Sequence, residues 1–366
     1  MNRRWICSDV LVDIFPFFDR PQLGLKLALI SPRFNALVDT YFDGKSELAI
    51  WREIEIKKDT GAKVPKLSVF IDYANSVPFP WPDRPLHNKI CFEKLQIQYI
   101  DHSVLTFLRS NHQIWDKRGI SLSVHIYSLF GNDVQPIWKV FVREIWPIFA
   151  PNIRTLFFRD SGGLDNLRLF TSPTILTDLN QLNSINTYDL FPDRIVFFDR
   201  PIATAGQALS KWVHTPREDG KSKHLACLQD ITTENCEWIN GFKEAFLRRA
   251  TTTSAVRYNV LFIISSNATT QIEPFELLNE RTKEKLTLEQ RSRLFGSWRL
   301  KRRPIGEKAP ATVRHRKFTL WDGLNGVNFY LSGANCIGPL SPPAAKKADQ
   351  KRDNSSIWRR LFWHKK

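Results

Sequence analysis

Between residues 48 and 265, short runs of β-branched and aromatic residues alternate with longer stretches of helical apolar spacing. The β-rich runs cover 48–56, 66–72, 95–100, 122–127, 155–158, 194–199, 224–229 and 258–265. Helical patterns cover 103–115, 134–149, 203–213 and 238–250. Parallel neighbours in a sheet need a crossover of a dozen or more residues, and helices of this length supply it. The alternation therefore predicts an α/β domain built on parallel strands. From residue 95 onward the strand starts recur every 27 to 39 residues, within the range of repeat arrays. No strict leucine-rich consensus accompanies the spacing. A degenerate, leucine-rich-repeat-like α/β array and an open α/β sheet both fit it. Residues 258–290 read as a strand and then a hairpin that turns near Asn279-Glu280 and closes the array.

The chain is 42% hydrophobic and 12% aromatic, enough apolar surface for a sizeable core. Its five cysteines (Cys7, Cys91, Cys227, Cys236 and Cys336) are irregularly spaced and point to free thiols rather than a disulfide framework. Asp9 and Asp13 interrupt the apolar stretch that a secretory signal needs, and no run approaches the ~20 apolar residues of a membrane span. The expectation is an intracellular, soluble protein with no transmembrane segment, in which the sequons at Asn267 and Asn354 are inert. The formal net charge of +16 is unevenly placed. Residues 281–366 hold 21 Lys and Arg against six Asp and Glu, which leaves 32 against 31 in residues 1–280. A domain that reads nucleic acid usually carries its surplus on the folded surface, and this body is almost neutral.

At the N-terminus, Ser8 is placed to cap a helix with Asp9 and Asp13 in its first turns. Val10, Leu11, Ile14, Phe15 and Phe18 give that helix a broad apolar face, and Pro16 ends or kinks it. Asp19-Arg20-Pro21 reads as a turn into a second helix striped by Leu23, Leu27, Ile30, Phe34 and Leu37. Ser31-Pro32 breaks this helix, and a third piece begins at Arg33. Three short helices cannot bury so much apolar surface among themselves, so they need a partner surface on this chain or another.

The order of these residues resembles an F-box, which opens on Leu-Pro, runs through an acidic-aliphatic helix and a Leu-Asp turn, and ends on Val-Ser-Arg/Lys-Arg-Phe. Here Ile6-Cys7 stand at the opening pair and Asp9-Val10-Leu11 form the acidic-aliphatic run. Phe18-Asp19 replace Leu-Asp, Ile30-Ser31-Pro32-Arg33-Phe34 close the motif, and Trp51 stands for its late tryptophan. The match spans roughly a tenth of the chain. Cys7 at the usual proline and Pro16 inside the first helix are its departures. The resemblance implies docking on the Skp adaptor, and through it on a cullin and the ubiquitin-loading machinery. Ile6, Leu11, Ile14, Phe15, Phe18, Leu23, Leu27, Ile30 and Phe34 are the docking residues it implies. It further implies a protein substrate held by the α/β region, which is loosely similar to the receptor domains of F-box families expanded in nematodes. Such a chain is a recruiting subunit rather than an enzyme, and works in the cytoplasm or the nucleus. The expected organisation is a three-helix F-box over 1–47, an α/β domain over 48–298 and a basic, partly disordered extension over 299–366.

Other chemistry lacks its motifs. Two DGKS strings, at 43–46 and 219–222, would need Gly at the positions held by Asp39 and Thr215 to form a phosphate loop, so both read as turns. His224, Cys227 and Cys236 come without a C-x-x-C or H-E-x-x-H pairing to supply a fourth ligand. No G-x-S-x-G elbow and no G-x-G-x-x-G after a strand is present. Neither a metal nor a cofactor is expected.

The last quarter supports the alternative function, a nucleic-acid-binding or nuclear scaffold protein. Residues 299–317 begin with Arg299, Lys301, Arg302 and Arg303, and a second basic cluster covers 346–352. Both read as solvated segments suited to nuclear import or to weak contact with nucleic acid or acidic surfaces. Ile357, Trp358, Leu361 and Phe362 share a helical face flanked by Arg359, Arg360, Lys365 and Lys366. That is a short basic amphipathic helix.

Overall fold

In the computed structural model, described over residues 7–18, 23, 27–43, 49–59, 65–70, 76–79, 81–82, 85–86, 90–112, 119–127, 134–160, 162–188, 190–193, 203–231, 237–249, 255–264, 272–292, 296–307 and 326–341, thirteen strands form one sheet. They are β1 (Ala49–Lys57), β2 (Lys66–Phe70), β3 (Ser76–Phe79), β4 (Ile90–Ile97), β5 (Ile120–Tyr127), β6 (Ile153–Phe158) and β7 (Ser184–Thr187). The remainder are β8 (Lys223–Ile231), β9 (Tyr258–Ile264), β10 (Phe275–Asn279), β11 (Glu284–Ser292), β12 (Ser297–Pro304) and β13 (Gly326–Ser332). Their spatial order is β10-β11-β12-β9-β8-β7-β6-β5-β13-β4-β1-β2-β3. Every pairing from β9 across to β1 is parallel, and antiparallel strands finish both ends. The fold is thus mixed α/β with a mostly parallel sheet, as the alternation predicts.

The crossovers are α4 (His102–Ser110), α5 (Gln135–Val140) continuing through a π turn into α6 (Trp146–Phe149), α7 (Gly162–Phe170), α8 (Ile175–Asp178), α9 (Ala205–His214) and α10 (Glu237–Arg248). Local chemistry sets their starts. The Asp101 carboxylate accepts from the Val104 N–H at 3.0 Å, and Thr204 with Gln207 forms a capping box on α9. Because β4 to β9 follow one another across the sheet in chain order, apart from one insertion, right-handed crossovers place these helices on a single face. Strand β5 records this. Ile120, Leu122, Val124 and Ile126 are buried in one continuous core with Val104, Trp138, Phe141 and Leu164 from the helices. Ser121, Ser123, His125 and Tyr127 alternate with them on the opposite face. Parallel strands buried on both faces read as unbroken apolar runs, whereas period-two alternation marks a sheet covered on one side.

The late strand β13 lies in the middle, parallel to both β4 and β5. Phe329 is its core residue and meets Phe141 edge-on at 5.2 Å. The segment after it is tied to the end of β4: Ile100 N–H donates to Cys336 O, Gly338 N–H to Ile100 O, and His102 N–H to Pro339 O, at 2.8 to 2.9 Å.

One sequence expectation needs correction. The boundary at 299 falls inside β12, which pairs with β11 and β9 and buries Trp298, Leu300 and Arg302. Alternating apolar residues at 298 and 300 fold as a strand despite the cations between them. The basic extension therefore does not begin at 299, and residues 326–332 are also part of the sheet. The strand expected at 194–199 lies outside the described residues, and β7 at Ser184–Thr187 is a strand that the sequence pattern does not announce.

At the N-terminus, α1 (Ser8–Ile14), α2 (Ala28–Ile30) and α3 (Pro32–Asp43) keep a small core of their own. Phe15, Leu23, Ala28 and Val38 are its buried members, and Phe15 meets Tyr41 edge-on at 5.5 Å. Pro16 sits in a 3₁₀ turn that ends the first helix, and Ser31 is extended just before α3, as its Pro32 requires. Ser8 is not the cap. Cys7 holds that position without a side-chain bond, and the Ser8 hydroxyl instead accepts from Arg33 Nη2 at 3.2 Å.

Candidate functional site

Two surfaces are the candidates for a functional site. The first is the N-terminal helical unit. Of its candidate docking residues, Phe15 and Leu23 are fully buried and Leu11 is nearly so, while Phe18, Leu27 and Phe34 are half-buried. Phe15, Leu23, Phe18 and Leu27 belong to the unit's own core. Leu11, Phe15 and Leu23 lie in the interior, because three short helices use large side chains to hold one another. Ile14 and Ile30 do face solvent. Val10, exposed to 50%, and Phe17, exposed to 86%, join them, and neither is among the candidates drawn from the sequence. Val10, Ile14 and Phe17 stand at i, i+4 and i+7, the spacing of one helical face. Ile6 lies outside the described residues, as do Arg359 and Arg360 and the side chain of Trp51.

The second surface is the sheet face opposite the described crossover helices, on which Glu55, Ser123, Phe157, Ala226 and Asn328 are nonetheless buried. Strand register places Glu55, Gln96, Asn328, Ser123, Phe157, Asn186, Ala226, Leu261, Arg299 and Glu289 in one row across it. The neighbouring row toward the strand starts runs Glu53, Lys94, Gly326, Ser121, Thr155, Ser184, His224, Asn259, Lys301, Thr287 and Glu276. The ends of the rows are charged and largely self-neutralised: Lys94 pairs with Glu53 at 2.5 Å, Lys301 with Glu289 at 2.5 Å and Lys285 with Glu276 at 2.9 Å.

Beyond Phe157, farther along β5 and β13, the same face is aromatic. The His125 ring stacks on Tyr127 with centroids 4.3 Å apart and meets Tyr330 edge-on at 5.9 Å. The Arg159 guanidinium lies 5.4 Å from the centre of the Phe157 ring and 5.0 Å from that of Tyr330. Burial, reinforced by Arg159, holds the His125 imidazole below its usual range, and burial pushes the Tyr330 hydroxyl up. Ser123 Oγ, His125 Nδ1 and Asn186 Oδ1 are buried without a hydrogen-bond partner. Rigid rings beside unspent polar groups suit recognition of another molecule. The signal for this face was present in the strings ISLSVHIY and GVNFYLS, where polar or aromatic residues alternate with aliphatic or aromatic core residues.

The basic candidates divide by face. Arg302 is fully buried, paired with the buried carboxylate of Glu284 and set 5.1 Å from the centre of the Phe246 ring. Arg299 and Lys301 share Glu289 on the open face, and Arg303 lines a depression beside β10 with Phe275 and Thr287. The cations of β12 stabilise the sheet; they are not a free reading surface. His224 and Cys227 point to opposite faces of β8, and burial pushes the Cys227 thiol up to about 12. Among the described residues no three His, Cys, Asp or Glu gather to hold a metal. No described helix is long and apolar enough to cross a membrane.

Comparison with protein-family models, with curated proteins and with solved structures finds no match.

Proposed function

We propose that the chain is a substrate-recruiting subunit of a cullin-based ubiquitin ligase. The N-terminal unit docks on the Skp adaptor, and the open sheet face holds a protein target. The observation that carries the reading is the stripe of Val10, Ile14 and Phe17, left in solvent on the segment whose residue order resembles an F-box. Large side chains at helical spacing with nothing over them mark a contact surface. The chemistry belongs to other subunits, and the contribution of this one is to raise the effective concentration of target beside a loaded ubiquitin carrier. The cytoplasm or nucleus is where such a complex works.

The test is capture of a purified Skp adaptor by the full chain. Intact protein retains the adaptor, whereas Ile14→Glu with Phe17→Glu loses it while the thermal unfolding of the body stays unchanged. Absence of capture by the intact chain overturns the proposal.

A further inference from the structure

A cleft of about 420 Å³ opens at the N-terminal ends of β6, β7 and β8, whereas the aromatic cluster lies farther along the strands. Its volume falls among those of ordinary ligand sites, and its lining is polar: Arg154, Asn180, Gln181, Asn183, Lys221 and His224.

Some of the charge here is already spent. Arg217 holds Asp219 through two bonds of 2.8 Å and donates to the Leu182 carbonyl at 2.7 Å, while Asp219 also accepts from the Lys221 N–H. These contacts fix the wall after α9. The Arg154 guanidinium and the carboxamides of Asn180, Gln181 and Asn183, by contrast, have no side-chain hydrogen bond among the described residues. Arg154 is nonetheless seated. Gly119, at φ 74°, lies under its stem, and a Cβ there would stand 2.2 Å from Arg154 Cδ and Nε. The left-handed backbone at that position favours glycine, and an added Cβ would push the Arg154 side chain aside.

A free carboxamide offers one donor edge and one acceptor edge, which match the C=O and N–H of an extended main chain. A free guanidinium fork matches a carboxylate through two parallel bonds. The lining carries Arg154, Arg217 and Lys221 against Glu218 and Asp219, with Lys221 3.6 Å from Asp219, which leaves a surplus of one positive charge. That balance suits a single negative charge better than a doubly charged phosphate. We propose that this cleft binds an extended acidic peptide segment, with a Glu or Asp carboxylate on Arg154 and the flanking peptide groups on Asn180, Gln181 and Asn183. The inference rests on the reading of the α/β body as a receptor for protein targets and names the chemistry of one contact with them.

The experiment measures binding of the full chain to an immobilised alternating Gly-Glu peptide by surface plasmon resonance. Peptides carrying Gln or phosphoserine in place of Glu, and free glutamate as competitor, are the comparison arms. Expected is binding of the Glu peptide that weakens about tenfold for the Gln peptide and about tenfold on Arg154→Gln. Gly119→Ala, which displaces the same guanidinium, weakens it similarly, and Arg143→Gln, on the π turn, leaves it unchanged. Equal binding of the Glu and Gln peptides, or indifference to Arg154→Gln in a folded protein, overturns the proposal. Tighter binding of the phosphoserine peptide overturns the choice of carboxylate. Competition by free glutamate as effective as by peptide overturns the role given to the main chain. Adaptor capture by Arg154→Gln stays at the level of the intact chain, so failure of the ligase reading is seen separately from failure of the cleft.

Discussion

Strand β12 puts the same residue type to opposite uses on the two faces of the sheet. Arg302 points to the helices, is sealed from water, and has its charge matched by Glu284, whose other oxygen accepts from the Val256 N–H. Arg299, Lys301 and Arg303, one residue to either side or one pleat away, stand on the open face in reach of solvent. On the covered face a charge needs a matching charge beside it, because desolvation costs several kcal/mol per ion; Glu284 meets Arg302 Nε and Nη2, while Nη1 is buried without a partner. On the open face the same kind of charge costs little, and Arg299 and Lys301 are paired there with Glu289. The difference teaches that the helix-covered side is where substitutions unfold this protein, whereas charges on the opposite side can change at little cost to folding.

The sharpest break comes from Arg302→Ala. It leaves the Glu284 carboxylate buried without its counter-charge, and a loss of about 3–5 kcal/mol is expected in denaturant unfolding followed by tryptophan fluorescence. Replacing both partners, as Arg302→Met with Glu284→Leu, recovers most of this loss but leaves the Val256 N–H without its acceptor, a residual cost of about 1–3 kcal/mol. A double variant no better than the single one would show that the pair is not the source of the effect.

Next in size is a pH effect on the same covered face. His214, on α9, packs against Phe242 and Tyr258, and burial, with Arg302, Arg249 and Lys223 nearby, holds its imidazole down at about 3. The folded protein keeps this ring neutral while the unfolded chain protonates it below its ordinary 6.5. Stability therefore declines as pH falls from about 6.5 toward 3, and His214→Phe flattens that part of the curve. Lys223 acts in a different window. Burial pushes its ammonium down to about 7, so the unfolded chain binds the extra proton between about 7 and 10.5, and this group adds stability as pH rises across that range. Thermal melts across both ranges read these slopes.

The smallest effect on folding belongs to the side opposite the helices. Ser123 is 4% exposed and its hydroxyl has no partner, so Ser123→Ala removes an unmet polar group at nearly constant shape. Stability is expected to stay the same or to rise by up to about 1 kcal/mol. A clear loss would mean that the hydroxyl is tied into the fold and that this part of the face is structural.

Strand and helix identity was largely legible in the middle of the chain because it rests on local spacing. The hairpin at 279–280 and the break at Ser31-Pro32 are local as well, and both were legible. What escaped has a physical reason in each case. The strand Ser184–Thr187 is short, and Ile185 is its only large apolar side chain. The helix Gly162–Phe170 opens on two glycines, which lower helical propensity. In Ser297–Pro304 four cations conceal the alternation of Trp298, Leu300 and Arg302. The place of Gly326–Ser332 follows from non-local pairing, which no window along the sequence reveals. At the N-terminal unit the apolar stripe was visible, but not its partition into interior and surface. That depends on how three helices close on one another, and it moved Leu11 and Phe15 inward and brought Phe17 out.

The central position of β13 also has a bearing on how the protein is made. A ribosome delivers β4 and β5 some two hundred residues before the strand that must lie between them. Until residues 326–332 emerge, the growing chain carries two part-sheets with facing, unpaired parallel edges. Such edges invite holdase chaperones or pairing with a neighbouring chain. Insertion of the late strand joins them, so completion of the sheet reports that synthesis has run at least this far. A message cut short before that point would yield a polypeptide with nearly all of its helices and no continuous core, a natural client for the cell's own disposal machinery.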